Sequence, residues 1–424
     1  MRARSPRPPP VGADPTREAA FDVLSAVLDR RRSLEDALDA LPTSVEPRDR
    51  AAAHRLAAAV LRRTGTLDAV LAPFLAKVPP TPARHVLRIG AAGLLLLATP
   101  AHAAVATAVA LARARGLAPF AGLVNAVLRR VAEQGPAVLA NLDGPRLDTP
   151  AWLWSAWGND ARVIATAHQS EAPLDLTLAA GATAPDGAER LATGSVRLPA
   201  GTRVSELSGY AGGAFWVQDA AAALVGRLLA ARPGERIADL CAAPGGKTAQ
   251  LAAAGAHVIA VERDPTRIGR LRDNLSRLRL QAELVEADAT AWRPAATLDA
   301  VLVDAPCSAT GTIRRHPDVP HLKRPRDLAP LAAGQDRLLD AAAAMLRPGG
   351  RLLYAVCSLQ PEEGADRIVA AVARIGLRHD PFTTGELAQL PQARTPEGFL
   401  RTHPGFWPER GGMDGFFAAR LVRP

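Results

Sequence analysis

The chain has 424 residues, a length typical of two or three domains that each bury a core of their own. With 48% hydrophobic and 22% charged residues, its composition excludes a wholly disordered or collagen-like chain. The formal net charge is +9, and residues 1–145 carry most of that excess, with 19 basic and 12 acidic side chains. This first third of the chain is therefore the candidate surface for a polyanion.

The cysteines indicate the compartment. Cys241, Cys307 and Cys357 are too few and too far apart in sequence for a disulfide framework or a zinc site. We therefore expect a cytoplasmic protein with no bound metal.

Two segments bear on membranes and targeting. Residues 1–14 are rich in Arg and Pro and lack a following apolar run, so we expect a disordered basic tail and not a secretory signal. The apolar stretch 89–112 is interrupted by Pro100, which favours two buried helices over a membrane span. We expect no membrane contact.

Helical spacing of apolar residues dominates residues 15–143, as in Phe21, Leu24 and Leu28, and predicts an all-α domain. Residues 144–212 carry shorter, mixed signals and are predicted to form a connecting subdomain. Within it, AWLWSAWG is typical of a helix, whereas LDLTLAAG and GTRVSELSG are typical of strands.

Residues 213–424 alternate strands with helices and predict an α/β domain. The predicted strands lie in ERIADLC, HVIAVE, AELVEAD, DAVLVDAP and GRLLYAVCS. Their Val, Ile and Leu content indicates a parallel sheet covered on both faces, and such sheets bind ligands beyond the carboxyl ends of their strands.

A cofactor loop is predicted after the first of these strands, in DLCAAPGGKT. Its small residues and glycines let the backbone approach a ligand. A phosphate-binding loop would need Gly in place of Cys241, and the dinucleotide fingerprint GxGxxG is absent. Glu262 and Asp288, at the ends of the next two strands, suit a neutral nucleoside with a cationic sulfonium, as in S-adenosylmethionine, better than an anionic pyrophosphate.

Cys307 and Cys357 follow the fourth and fifth strands. Either cysteine alone is more typical of a small buried hydrophobe. Neighbouring Asp304, Ser308 and Ser358 favour a cleft. Two thiols beside a methyl donor suit methylation of cytosine C5, because that carbon becomes nucleophilic only after a thiolate adds to C6. A second group is then needed to complete proton removal and release.

The motifs DLCAAPGGKT and DAPCSATGTIRRHPD, with the ending GGMDGFFAARLVR, resemble the RsmB-type (Sun or Fmu) bacterial 16S ribosomal RNA cytosine-C5 methyltransferases. The resemblance extends from about Arg17 to the C-terminus. It implies a multidomain protein, with an all-α NusB-like RNA-binding domain and an α/β Rossmann-like class I S-adenosylmethionine-dependent methyltransferase domain.

The same resemblance implies roles for individual residues. It makes Cys357 the nucleophile, Cys307 the thiol that assists product release, and Asp304 a partner of cytosine N3. The implied cofactor-binding residues are Cys241, Ala242, Ala243, Pro244, Gly245, Gly246, Lys247, Glu262, Asp288 and Asp304. Two positions depart from the family's usual pattern, since Glu262 replaces Asp and Val356 replaces Thr.

A basic run follows Cys307 in IRRHPDVPHLKRPRDL. Because this run stands beside a thiol pair that must meet a polyanion, we predict phosphate contacts for it. The predicted RNA-binding residues are Arg314, Arg315, Lys323, Arg324 and Arg326. The target base must also be unpaired or flipped out to expose C6.

We therefore expect a monomeric methyltransferase that acts on 16S ribosomal RNA. The resemblance implies the cytosine conventionally numbered 967 as the target. Three alternatives stay open: a transfer RNA cytosine-C5 methyltransferase, a non-catalytic RNA-binding assembly factor, and an NAD-dependent oxidoreductase.

Overall fold

The computed structural model describes residues 14–424, which divide into two units. The first unit contains the described residues through Ser155 together with His316–Leu322, and the second contains Ala156–Arg315 and Lys323–Pro424. The first unit thus extends beyond residue 143, where the sequence suggested a boundary. Of the predicted tail, residues 1–13 lie outside the described residues.

The secondary structure runs from helices to a mixture of strands and helices. The helices are α1 (Pro15–Leu28), α2 (Leu34–Asp39), α3 (Pro47–Arg62), α4 (Thr64–Leu71), α5 (Thr81–Leu95), α6 (Ala101–Ala114), α7 (Ala121–Ala140), α8 (Gly144–Leu147), α9 (Ala151–Trp157), α10 (Ala161–Ala167), α11 (Ala220–Leu228), α12 (Gly246–Ala253), α13 (Pro265–Leu278), α14 (Val319–Leu322), α15 (Leu328–Met345) and α16 (Ala365–Ile375). The strands are β1 (Leu174–Leu178), β2 (Glu189–Arg190), β3 (Val196–Leu198), β4 (Phe215–Val217), β5 (Arg236–Leu240), β6 (His257–Glu262), β7 (Glu283–Glu286), β8 (Leu298–Asp304), β9 (Leu346–Val356), β10 (Arg378–His379), β11 (Leu400–Arg401) and β12 (Phe417–Val422).

The first unit is helical, as predicted. Helix α1 begins after Asp14, whose carboxylate accepts a hydrogen bond from the Arg17 amide and so satisfies an amide at the helix start. Helix α1 packs on α3, and α5 packs on α6 and α7, around a core of Ala, Val and Leu side chains. Pro100 separates α5 from α6, which confirms the two predicted helices. Within residues 14–424, every helix is too short or too polar to cross a bilayer.

His316–Leu322 completes this helical unit. Asp318 Oδ2 accepts a hydrogen bond of 2.9 Å from the amide of Leu34, the first residue of α2. His321 Nε2 lies 2.9 Å from the Leu61 carbonyl oxygen, and burial lowers the pKa of His321. The neutral imidazole that results can donate to this carbonyl.

After α10, the second unit contains a small antiparallel sheet in the order β2-β3-β1-β4. Its buried face includes Leu176, Val196 and Phe215. Strand β1 confirms the prediction for LDLTL, and α9 confirms the helix at AWLWSAWG. The predicted strand in GTRVSELSG is wrong, because the chain there forms a short 3-10 turn at Val204–Glu206 between glycines with positive φ.

The larger sheet has the order β10-β12-β9-β8-β5-β6-β7, with β11 pairing to β12. Strands β5 to β9 are parallel, whereas β12 runs antiparallel to β9. All five strands predicted from residues 213–424 are confirmed. Because parallel strands end at one edge of a sheet, the predicted cofactor acids and the thiols are carried to the same edge.

Candidate active site

The loop after β5 has a backbone that only small residues allow. The chain turns through residues 241–245 and enters α12 at Gly246. Gly245 has a φ of 104°, and a Cβ atom at this position would lie 2.4 Å from Leu271 Cδ1. Glycine is therefore favoured here by its conformation, and any larger residue would also require the Leu271 side chain to shift. The result is a helix start that stands open toward the strand ends.

A cavity of about 300 Å³ lies beside this loop, and its lining includes Cys241, Glu262, Asp288 and Thr290. Glu262 is 3% exposed, and its Oε1 accepts hydrogen bonds from the amides of Arg263 and Asp264. Its Oε2 lies 3.1 Å from Arg267 Nη1 but accepts no hydrogen bond from the described residues. A buried acceptor of this kind suits a ligand hydroxyl such as those of ribose.

Asp288 lies at the mouth of the same cavity and is exposed. Its Oδ1 accepts hydrogen bonds from the Thr290 hydroxyl, at 2.6 Å, and from the Thr290 amide, at 2.8 Å. The Thr290 hydroxyl, followed by the amide, lowers the pKa of Asp288. The structure thus brings Cys241, Glu262 and Asp288 to one cavity.

Lys247, in the first turn of α12, forms an ion pair with Asp304, the last residue of β8. Lys247 Nζ donates to Asp304 Oδ2 at 2.7 Å and lies 5.0 Å from the centroid of the Phe416 ring. Burial opposes the charge of Lys247, but the adjacent Asp304 carboxylate outweighs it and raises the pKa of Lys247. The pair therefore places a fixed positive charge and a carboxylate beyond the strand ends.

The two thiols after β8 and β9 meet. Cys307 Sγ and Cys357 Sγ are 3.4 Å apart. The contact with Cys357, followed by burial, raises the pKa of Cys307 well above its ordinary range. Burial, followed by the Glu262 charge, raises the pKa of Cys241 to about 12. The site therefore holds Cys307 as a protonated thiol beside Cys357 and leaves Cys241 unreactive.

Backbone contacts hold the thiol loops against the C-terminal segment. The Gly311 amide donates to the Cys357 carbonyl at 3.0 Å, and the Gly415 amide donates to the Gly311 carbonyl at 2.8 Å. A Cβ atom at Gly311 would lie 2.1 Å from the Gly415 oxygen. The ending GGMDGFF thus packs directly on the loop that carries Cys307.

Two family profiles match the chain. The profile described as 16S rRNA methyltransferase RsmB/F covers residues 226–422, and that of the NusB family covers residues 14–133. The ribosomal RNA small subunit methyltransferase B of Sodalis glossinidius is 36% identical over 96% of this chain and 97% of its own length. That of Xanthomonas campestris is 39% identical over 85% of this chain and 88% of its own.

The chain belongs to the ribosomal RNA small subunit methyltransferase B family. It is accordingly an S-adenosylmethionine-dependent RNA methyltransferase, which removes the oxidoreductase alternative. The crystal structure of PH0851 shares the fold, with a TM-score of 0.72 at 22% identity over 97% of this chain and all of its own. A methyltransferase homolog protein from Pyrococcus horikoshii has a TM-score of 0.53 at 23% identity, covering 67% and 96% of the two chains.

Within this family member, the basic run after Cys307 splits into two groups. Arg314 is 1% exposed and donates to Asp219, at 2.7 Å, and to Asp414. The prediction that Arg314 contacts RNA phosphate is therefore wrong, because its guanidinium is buried among carboxylates. Arg315 is partly exposed but pairs with Asp414 as well.

The remaining basic residues of the run reach the surface. Arg324 and Arg326 are exposed and Lys323 is half-buried. These three side chains stay available for the predicted phosphate contacts.

Sequence reasoning missed several polar residues that surround the site. Asp239, near the end of β5, is buried, and burial raises its pKa to about 7 although the Thr248 hydroxyl donates to Oδ2 at 2.6 Å. Its position at the start of the cofactor motif was the available signal. Thr310, Gln335, Glu363 and Arg401 also contact the thiol loops. Thr310 and Glu363 follow Cys307 and Cys357 by three and six positions, whereas Gln335 and Arg401 come from more distant parts of the chain. No local pattern distinguishes any of the four.

Proposed function

We propose that this methyltransferase modifies C5 of a cytosine in small-subunit ribosomal RNA, through a covalent bond between Cys357 Sγ and cytosine C6. The family's usual target, the cytosine numbered 967, is the site we propose. The observation that carries the proposal is the thiol pair, with sulfurs 3.4 Å apart, beside the ion pair of Lys247 and Asp304.

The first step uses Cys357 as nucleophile. Its sulfur bonds to C6, and the electron pair displaced from the C5–C6 double bond makes C5 enamine-like. The proton that Cys357 gives up passes to N3, where it neutralises the negative charge that reaches the ring. Asp304, held by Lys247 at 2.7 Å, is the group that we propose to accept a hydrogen bond from N3–H. S-adenosylmethionine supplies the electrophilic methyl group that C5 attacks.

The second step restores the aromatic ring. The C5 proton leaves, its electron pair re-forms the C5–C6 double bond, and sulfur departs from C6 as a thiolate. We assign proton removal to Cys307, which lies beside the departing sulfur. The raised pKa of Cys307 keeps this thiol protonated at rest, so it can pass its own proton to the departing Cys357 sulfur as it takes the proton from C5. The proton on N3 is then released to water, and both cysteines end the reaction as thiols.

The substrate is tested by tritium transfer from labelled S-adenosylmethionine to small-subunit ribosomal RNA, free or in ribosomal particles, and to transfer RNA. We expect label in ribosomal RNA and its loss with Cys357→Ala. Label in transfer RNA alone would reverse the assignment of substrate. Equal activity of Cys357→Ala and wild type would overturn the covalent step, and cofactor binding without methyl transfer to any RNA would favour the non-catalytic assembly factor.

A further inference from the structure

A buried carboxylate that the mechanism does not use lies under the thiol pair. Glu363, just before α16, is 0% exposed. Its Oε1 accepts hydrogen bonds from the Ser308 amide at 2.8 Å and from Gln335 Nε2 at 3.1 Å. Its Oε2 accepts from the Ser308 hydroxyl and, at 2.6 Å, from the Ser358 hydroxyl. Four donors therefore converge on one side chain.

The surrounding protons leave Glu363 only an acceptor's role. Ser358 Oγ accepts the Gln360 amide at 3.0 Å, so its own proton is available for Glu363. Thr310 Oγ1 accepts the Leu359 amide at 3.0 Å and lies 3.4 Å from the Ser308 and Ser358 hydroxyls. Both oxygens of Glu363 thus face donors, an arrangement that an amide side chain cannot reproduce.

The two serines connect this carboxylate to the site. Ser308 directly follows Cys307, and Ser358 directly follows Cys357. Their hydroxyls lie 3.0 Å apart. Because one carboxylate holds both residues, Glu363 anchors both thiol loops at once.

A second contact restrains the Cys357 loop from another direction. Arg401, in β11, donates to the Ser358 carbonyl at 2.7 Å and to the Leu359 carbonyl. Burial lowers the pKa of Arg401 to about 10. Arg401 holds only the Cys357 loop, whereas Glu363 holds both loops from outside them and reinforces the direct bonds that Thr310 and the two serines make between the loops.

We propose that Glu363 is a positioning residue that holds the sulfurs of Cys307 and Cys357 at their catalytic spacing. The consequence for methylation rests on the covalent mechanism proposed above. The spacing itself is a property of the free protein and is measured without RNA or cofactor. Failure of one proposal is therefore distinguishable from failure of the other.

The kinetic test compares Glu363→Gln with Glu362→Gln. Glu362 is the adjacent, exposed residue and provides the matched control. For Glu363→Gln we expect kcat to fall by about tenfold to a hundredfold, since small misplacements of reacting groups have effects of that order. We expect KM for RNA and for S-adenosylmethionine to stay within about twofold of wild type, because neither ligand touches this carboxylate. Glu362→Gln is expected to match wild type in all three constants.

The spacing test uses phenylarsine oxide, which bridges two nearby thiols. Its arsenic forms two As–S bonds, and the two thiol protons leave with the arsenic-bound oxygen as water, so no oxidant or reductant is needed. We expect wild type and Glu362→Gln to bind it equally and Glu363→Gln to bind about tenfold more weakly, because a loosened pair must be ordered on binding. Cys307→Ser is expected to abolish the bridge.

The outcomes separate the possibilities. Wild-type arsenical affinity in folded Glu363→Gln overturns the proposal, even if kcat falls. If Glu363→Gln binds the arsenical more weakly but wild type forms no covalent adduct with RNA, the positioning role is supported and the covalent function is rejected.

Ser308→Ala is the second variant, because Glu363→Gln can fail to fold. It removes one hydroxyl donor and retains the Ser308 amide contact with Glu363. We expect it to have a circular dichroism spectrum like that of wild type and to show smaller losses in kcat and arsenical affinity. Unchanged values of both quantities in Ser308→Ala would reject the proposal.

Discussion

The Sγ atoms of Cys307 and Cys357 lie 3.4 Å apart at the carboxyl ends of adjacent parallel strands, although 50 positions separate the two residues in sequence. A reacting cytosine bonded to Cys357 through C6 would thus have a second thiol beside the bond that must later break. The two cysteines should consequently differ in what their removal does to the reaction.

Cys307→Ala should accumulate a covalent complex between enzyme and RNA. The variant retains the nucleophile and lacks the group that completes release, so the bond between sulfur and C6 persists. Denaturing gel electrophoresis with labelled RNA detects the complex, and Cys357→Ala serves as the control that forms none. If both variants are inactive and neither retains RNA, the division of labour between the thiols is wrong.

Glu262→Gln should weaken S-adenosylmethionine binding. The buried Glu262 side chain presents an acceptor to the cofactor cavity, and loss of its charge should weaken a hydrogen bond to a ribose hydroxyl by about 1.5 kcal/mol, or about tenfold in Kd. Isothermal titration calorimetry gives the affinity. The control is Glu286→Gln, at the exposed end of neighbouring β7, which should bind as wild type does. Equal affinity of Glu262→Gln and wild type would remove Glu262 from the cofactor site.

Much of the second unit could be predicted from sequence because strand and helix signals there are local and repeated. Runs such as HVIAVE are too apolar for a strand that faces solvent, so they predict a buried parallel sheet. Because the carboxyl ends of parallel strands form one ligand-binding edge, Glu262 and Asp304 are then expected at the same edge of the sheet. That the cofactor acids and the two thiols share one edge of the sheet follows from that rule.

The features that escaped prediction depend on contacts between distant residues. Ser308 meets Glu363 across 55 positions, and Arg314 meets Asp414 across 100. Local charge made Arg314 a candidate for RNA, whereas its burial is decided by carboxylates elsewhere in the chain. Short strands such as β2 have too few residues to show an alternating pattern.

Asp239→Asn should stabilise the protein at high pH and change little at low pH. Burial raises the folded-state pKa of Asp239 to about 7, above its value of about 3.9 in an unfolded chain. Protonated Asp239 therefore makes its full contribution to the stability of the folded protein below about pH 4, and this contribution is lost as pH rises through about 7. Asparagine stays neutral throughout and can still accept from Thr248. The free energy of unfolding of Asp239→Asn should thus exceed that of wild type by an amount that grows with pH, to about a few kcal/mol at most.

Thermal unfolding without cofactor, at about pH 5 and about pH 8.5, measures the effect of Asp239→Asn. The control is Asp273→Asn, which alters an exposed carboxylate. Its unfolding temperature should differ from that of wild type by the same amount at both pH values. An advantage of Asp239→Asn that is the same at both pH values would show that Asp239 titrates normally.

The double variant Arg324→Gln with Arg326→Gln should weaken RNA binding and its dependence on salt. Both guanidinium groups are exposed after the buried Arg314, so they can neutralise phosphates and release counterions. Each lost phosphate contact on single-stranded RNA should reduce the slope of log K against log salt by about 0.7. Fluorescence anisotropy over a salt series measures this slope, with Arg232→Gln as the control. Arg232 is exposed too, but it precedes β5 at the opposite end of the parallel strands. A slope unchanged in the double variant, or reduced equally in the control, would mean that the basic run does not bind RNA phosphate.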